Sequence, residues 1–119
     1  ITKDEGEDPM NLNTMTVDTV TVVEMEGNLD TNTSVEAQDH INGLIDDGAT
    51  KLLTDFTKVD FVSSAGLRVL LATAKRLGGI GGSLRICGLN EAVNEVFEIS
   101  GFSTILDVFP TREDAMKGF

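Results

Sequence analysis

Along this chain the apolar positions repeatedly switch period, from the two-residue alternation of a strand to the three-or-four-residue recurrence of a helix. Residues 11–15 and 20–25, rich in Thr, Val and Met, predict two strands joined by a turn at Thr16-Val17-Asp18, and Gly27-Asn28-Leu29-Asp30 predicts the stop of the second. Thr33 with Glu36 three positions later has the form of a capping box. Ala37, Ile41, Leu44 and Ile45 then share one face until Gly48, which predicts a helix over 33–47. Residues 51–56 and 59–62 predict extended chain, after which Leu67, Leu70, Leu71, Ala74 and Leu77 recur at helical spacing until Gly78-Gly79. A strand over 83–87, a helix over 91–99 burying Val93, Val96 and Phe97, a strand over 105–109 and a helix over 111–116 complete the chain. The order ββαβαβαβα requires parallel neighbours in a mixed central sheet with helices packed on it, an α/β fold. At 119 residues it fits one domain.

Charge narrows the partners. Nine basic residues against twenty acidic give a net charge of −11, which repels a phosphate backbone, and the absence of Trp and Tyr leaves little to stack on bases. Nucleic acid is therefore not an expected partner. The six Phe residues fall mostly in apolar segments, where core packing explains them. Asp4, Glu5, Glu7 and Asp8 precede Pro9 without periodicity, so residues 1–8 are expected to form a loosely ordered acidic tail before a domain spanning 9–119. The single Cys87 cannot make an internal disulfide, no secretion signal is visible, and no apolar run approaches the roughly 20 residues that cross a bilayer. These features predict a cytoplasmic protein without a membrane partner.

Catalytic chemistry is thin. Gly78-Gly79-Ile80-Gly81-Gly82 follows a helix and precedes a strand, the reverse of a phosphate-binding loop, and reads as a helix end plus a turn. His40 lies mid-helix beside Asp39 and reads as an exposed helix residue. Cys87 lies in an apolar strand and reads as a buried, unreactive thiol. One His and one Cys assemble no nucleophile set, and the carboxylates show no metal-ligand spacing. The chain reads as a non-enzyme without a cofactor. What remains is the serine pair in Asp60-Phe61-Val62-Ser63-Ser64-Ala65-Gly66-Leu67-Arg68, at the junction of an apolar strand and an amphipathic helix. A hydroxyl there can cap the helix or accept a phosphate. Asp30 and Thr33 read equally as helix caps or docking residues, while Arg68 and Lys75 fall on the solvent side of their helix.

The Gly27–Asp30 turn, the strand Leu52-Leu53-Thr54-Asp55-Phe56, the junction Val62-Ser63-Ser64-Ala65-Gly66-Leu67-Arg68, the stretch Arg85-Ile86-Cys87-Gly88-Leu89-Asn90 and the later run from Val93 to Phe102 together resemble the STAS family. Within it, the chain is similar to the stand-alone bacterial anti-sigma factor antagonists. The resemblance implies a single STAS-like domain, monomeric when free, that works by partner switching. Unphosphorylated, such a protein binds an anti-sigma factor that is also a GHKL-type serine kinase and so frees a client. Phosphorylation of a junction serine breaks the complex, and a PP2C-type phosphatase restores the binding form. The family commonly has Asp-Ser-Ser/Thr-Gly-Leu where this chain has Ser63-Ser64-Ala65-Gly66-Leu67, which puts the acceptor at Ser64, with Ser63 as second choice in the position usually held by Asp. The implied docking face holds Asp30, Thr31, Thr33, Ser63, Ser64, Ala65, Gly66 and Arg68. Rival readings are a client outside transcription, in secretion or second-messenger signalling, a STAS-type nucleotide or lipid sensor, and a module detached from an anion transporter.

Overall fold

Strand β1 (Asn11–Val17) folds back on β2 (Val20–Leu29) through Asp18 and Thr19 in the computed structural model, which describes residues 10–119. The expected acidic tail over 1–8 lies outside the described residues. The hairpin loop is shorter and later than the sequence predicts. Val17 still pairs with Val20, and Asp18 takes a φ of 57°, a left-handed conformation that Asp tolerates and that suits a two-residue loop. Strand β2 also runs past the expected stop, because the second half of β3 (Lys51–Val62) gives it a parallel partner as far as Leu29↔Val62. Two register shifts each place one extra residue in β3, so the expected pair of extended pieces is one strand.

Helix α1 (Thr31–Asp46) begins earlier than its pattern suggests. Its cap is Asp30, whose Oδ1 accepts from the backbone N–H groups of Asn32 (2.9 Å) and Thr33 (3.0 Å). Thr33 returns the favour by accepting the Asp30 N–H at 2.9 Å. The capping box is thus Asp30 with Thr33 rather than Thr33 with Glu36, and Glu36 is exposed. After β3 come α2 (Ser64–Gly79), β4 (Ser83–Cys87), α3 (Glu91–Ile99), a 3-10 turn (Phe102–Thr104), β5 (Asp107–Phe109) and α4 (Arg112–Met116). The turn occupies the approach to the last strand, so β5 starts two residues later than predicted.

The sheet order is β1-β2-β3-β4-β5, antiparallel at the first pair and parallel thereafter. A chain that always steps to the next parallel strand by right-handed crossovers lays every crossover helix on the same face. The core obeys this: Ala37, Ile41 and Ile45 of α1, Leu67, Leu70 and Leu77 of α2, and Val93 and Phe97 of α3 pack with Val23, Met25, Leu52, Phe56 and Ile86. Phe56 and Phe97 meet edge to face at 6.4 Å.

The opposite face holds a smaller cluster, Val20, Val22, Leu53 and Cys87, covered by Ala115 and Met116 of α4 and by Phe119. Burial pushes the Cys87 thiol up to about 12, in keeping with an unreactive cysteine. Two arginines pin the C-terminal segment there. Arg85 donates to the carbonyls of Ala115 (2.8 Å), Lys117 (2.7 Å) and Gly118 (3.2 Å) and lies over the rings of Phe109 and Phe119. Arg112 donates to Asp55 at 2.8 and 3.0 Å and to Glu24.

Those bonds set an acid-side dependence of stability. The Arg112 bond holds Glu24 below the usual carboxylate range; burial opposes the same effect at Asp55, but bonds from Thr57 and Arg112 prevail and keep it low as well. A folded-state pKa below the unfolded value of about 4 contributes stability that is complete above about pH 5 and disappears as pH falls through the folded value. Arg112→Met strands the buried Asp55 carboxylate and is expected to cost about 2 kcal/mol at pH 7, or roughly 8 °C in Tm. Urea unfolding across pH 3–7 should then show a shallower acid limb in the variant than in the wild type. Superimposable acid limbs would contradict the assignment.

Candidate functional site

The carboxyl ends of β2 and β3 lie side by side, so the residues that follow them, Asp30 and Ser63, each open a helix at the same edge of the sheet. A backbone bond from Ser63 N–H to the Leu29 carbonyl at 2.9 Å ties the two junctions together. The first turn of α2 sits directly on the end of β2. A Cβ at Gly66 would stand 2.7 Å from the Leu29 carbonyl oxygen and 2.8 Å from Leu29 Cγ. Only glycine lets the helix approach this closely, which is what holds the serine pair beside the Asp30 cap.

The two serines do different things. Ser63 is the N-cap of α2, with Oγ accepting the Gly66 N–H at 3.3 Å. Ser64 is the first residue of the helix and is exposed, and its hydroxyl makes no bond to any described residue. Among the expected docking residues, Asp30 and Ala65 are half-buried and Thr31 and Arg68 exposed, whereas Thr33 and Gly66 are buried. Thr33 spends its hydroxyl on the Asn28 carbonyl at 2.7 Å and on Asp30. Thr33 and Gly66 thus shape this edge rather than present themselves on it.

The structure adds residues the sequence pattern missed. Phe61, two positions before Ser63, is 51 % exposed instead of packed in the core, because the second register shift of β3 turns it outward. Val35, on the first turns of α1, is 62 % exposed. Of the six phenylalanines, Phe56 and Phe97 alone are fully buried. The signal for Phe61 was its place in Asp60-Phe61, where an apolar residue follows a charged one next to Val59 and Val62, both buried. His40 is half-buried, and its ring nitrogen lies 2.7 Å from the Thr14 hydroxyl. Among the described residues no cluster of His, Cys, Asp and Glu could hold a metal ion, and no helix is long and apolar enough to cross a membrane. A hollow of about 160 Å³ lies beside Glu24, Met25, Asp55, Thr57 and Lys58, and a wider, shallower one of about 550 Å³ lies along α3 beside Glu91, Asn94, Glu95 and Glu98.

The STAS domain profile matches residues 11–115, from the first strand to the last helix. The chain belongs to the STAS domain family. This STAS domain is 34 % identical over 110 residues to BtrV of Bordetella bronchiseptica, assigned as an anti-sigma factor antagonist, covering 92 % of this chain and 95 % of BtrV. It is 27 % identical over 99 residues to the anti-sigma-B factor antagonist of Staphylococcus aureus, covering 83 % and 92 %. Among solved structures, an anti-sigma factor antagonist from Mycobacterium paratuberculosis superposes with a TM-score of 0.83 at 25 % identity, over 90 % of this chain and 91 % of that one. The Bacillus cell fate determinant SpoIIAA in its phosphorylated form matches with a TM-score of 0.67 at 23 % identity over 90 % and 96 %, a likeness of fold. The α/β class and the order ββαβαβαβα expected from the sequence agree with these structures.

Proposed function

We propose that this STAS domain is an anti-sigma factor antagonist whose binding to its anti-sigma factor is switched by phosphorylation of Ser64. The observation that carries the reading is the pairing, at one sheet edge, of an exposed Ser64 hydroxyl at a helix N-terminus with the Asp30 cap of the adjacent helix. The names of BtrV and of the S. aureus antagonist support the first half. The local chemistry supports the second. Ser63 Oγ is engaged in capping, while Ser64 is exposed and its Oγ bonds to no described residue.

In the proposed reaction the Ser64 oxygen attacks the γ-phosphorus of ATP held by a kinase partner. The new O–P bond forms as the bond to ADP breaks, and the hydroxyl proton passes to a base of the kinase. The ester adds about −1.5 to −2 charges beside the free N–H groups of α2, where the helix dipole favours an anion, so the fold is retained. SpoIIAA has itself been solved both unphosphorylated and phosphorylated. The anti-sigma factor is taken to be a GHKL-type serine kinase and the reversing enzyme a PP2C-type phosphatase, and the action is that of a cytoplasmic, non-catalytic regulator. Exposed Phe61 and Val35 supply apolar contact to the docking face alongside Thr31, Ala65 and Arg68.

The test is to incubate the protein with its cognate kinase and ATP and map the phosphate by mass spectrometry. Modification is expected at Ser64 in the wild type and should vanish in Ser64→Ala. Undiminished incorporation in that variant would reject the site.

A further inference from the structure

Four arginines occur in the sequence, and three are fixed by the fold. Arg76 binds Asn42 and Asp46 of α1, Arg85 holds the C-terminal carbonyls, and Arg112 holds Glu24 and Asp55. Arg68 is exposed and makes no hydrogen bond or ion pair to any described residue. It stands four residues after Ser64 on α2, in the exposed stripe of Ser64, Arg68, Ala72 and Lys75 that alternates with the buried Leu67, Leu70 and Leu77.

This spacing has a direction. Side chains of a helix lean toward its N-terminus, so a residue at i+4 reaches back over residue i, about 5–6 Å away between Cβ atoms. An anion placed N-terminal to a cation at i,i+4 is also the more favourable of the two orders. A guanidinium matches a phosphate with two parallel N–H···O bonds, which a hydroxyl cannot accept.

We propose that Arg68 is an internal phosphate clamp: it is free in the unmodified protein and folds back onto the phosphate once Ser64 is esterified. The proposal rests on the phosphorylation of Ser64 set out above and adds a second limb to the switch. Modification then not only brings negative charge to the docking face but withdraws from it the one arginine left unengaged among the described residues. Arg68 is a positioning residue in this scheme, not an acceptor.

The test uses the full chain carrying phosphoserine at position 64, installed during translation so that no kinase is needed. Phosphorus NMR titration reads the second pKa of the ester, ordinarily near 6. With Arg68 that pKa is expected about half a unit lower than in Arg68→Gln, with Arg68→Lys between them, and 1 M salt should shrink the difference. Asp30, capping the neighbouring helix, is common to all three proteins and cancels from the comparison. Equal pKa values in the wild type and Arg68→Gln would overturn the clamp. Because the ester is built in, that result would leave kinase mapping at Ser64 untouched, and a failed mapping would leave the clamp intact while removing its use.

Discussion

Ser64→Glu, or full phosphorylation of Ser64, is expected to weaken binding to the anti-sigma factor about a thousandfold while leaving the melting temperature within a degree or two of wild type. The magnitude follows from charge. A new like charge about 4 Å from another, in a partly dry interface of effective dielectric near 20, costs on the order of 4 kcal/mol, and 4 kcal/mol is roughly three decades in affinity. Asp30 already places negative charge beside this junction, across the hydrogen bond from the Ser63 N–H to the Leu29 carbonyl, so the addition concentrates like charge where docking would exclude water. Stability is spared because Ser64 is exposed at the first position of α2, where carboxylates and phosphates are favoured. Isothermal titration against the partner and a thermal melt of the same samples separate the two effects. Wild-type affinity in the Glu variant would refute the electrostatic release, and a collapse of the melt would show that the substitution acts through folding instead.

The second large effect is expected at Gly66→Ala, with a loss of about 3 kcal/mol. The added methyl would sit 2.7 Å from the Leu29 carbonyl oxygen, a backbone atom that cannot swing aside as a side chain could. Either α2 lifts from the end of β2 or β2 bends, and both separate Ser63 from the Leu29 carbonyl it bonds at 2.9 Å. The variant should therefore lose affinity for the partner beyond what its unfolded fraction explains, since the two capped junctions are no longer held side by side at the sheet edge. Chemical denaturation gives the stability change, and binding measured well below the variant's melting temperature gives the geometric one. An alanine protein as stable as wild type would mean that the close approach is not a constraint.

Much of this was legible in the chain. Leu67, Leu70 and Leu77 announce α2 because separations of three and seven residues keep them on one helical face, and Ala37, Ile41 and Ile45, four apart, announce α1 for the same reason. The serine junction was legible because hydroxyl residues at the change from strand period to helix period have few local uses. Local signals failed where a distant partner decided the outcome. Gly27 and Asn28 look like a strand stop, yet β3 supplies pairing partners more than thirty residues away. Thr33 and Glu36 make a plausible box, but Asp30 accepts from two N–H groups and Thr33 also reaches the Asn28 carbonyl, so the helix starts at Thr31. Arg112 meets Asp55 and Glu24 across 57 and 88 residues of sequence, and no periodicity reports such a bond. Phe61 turned outward because register shifts in β3 change which residues face the core.

The single-sided placement of α1, α2 and α3 divides labour within a small molecule. The serine edge is anchored in the large cluster beneath those three helices, whereas α4 and Phe119 rest on the separate, smaller cluster behind the sheet. Changes confined to the exposed residues of α4 are therefore expected to leave the proposed docking edge in place, which makes that short helix the natural place to attach a label.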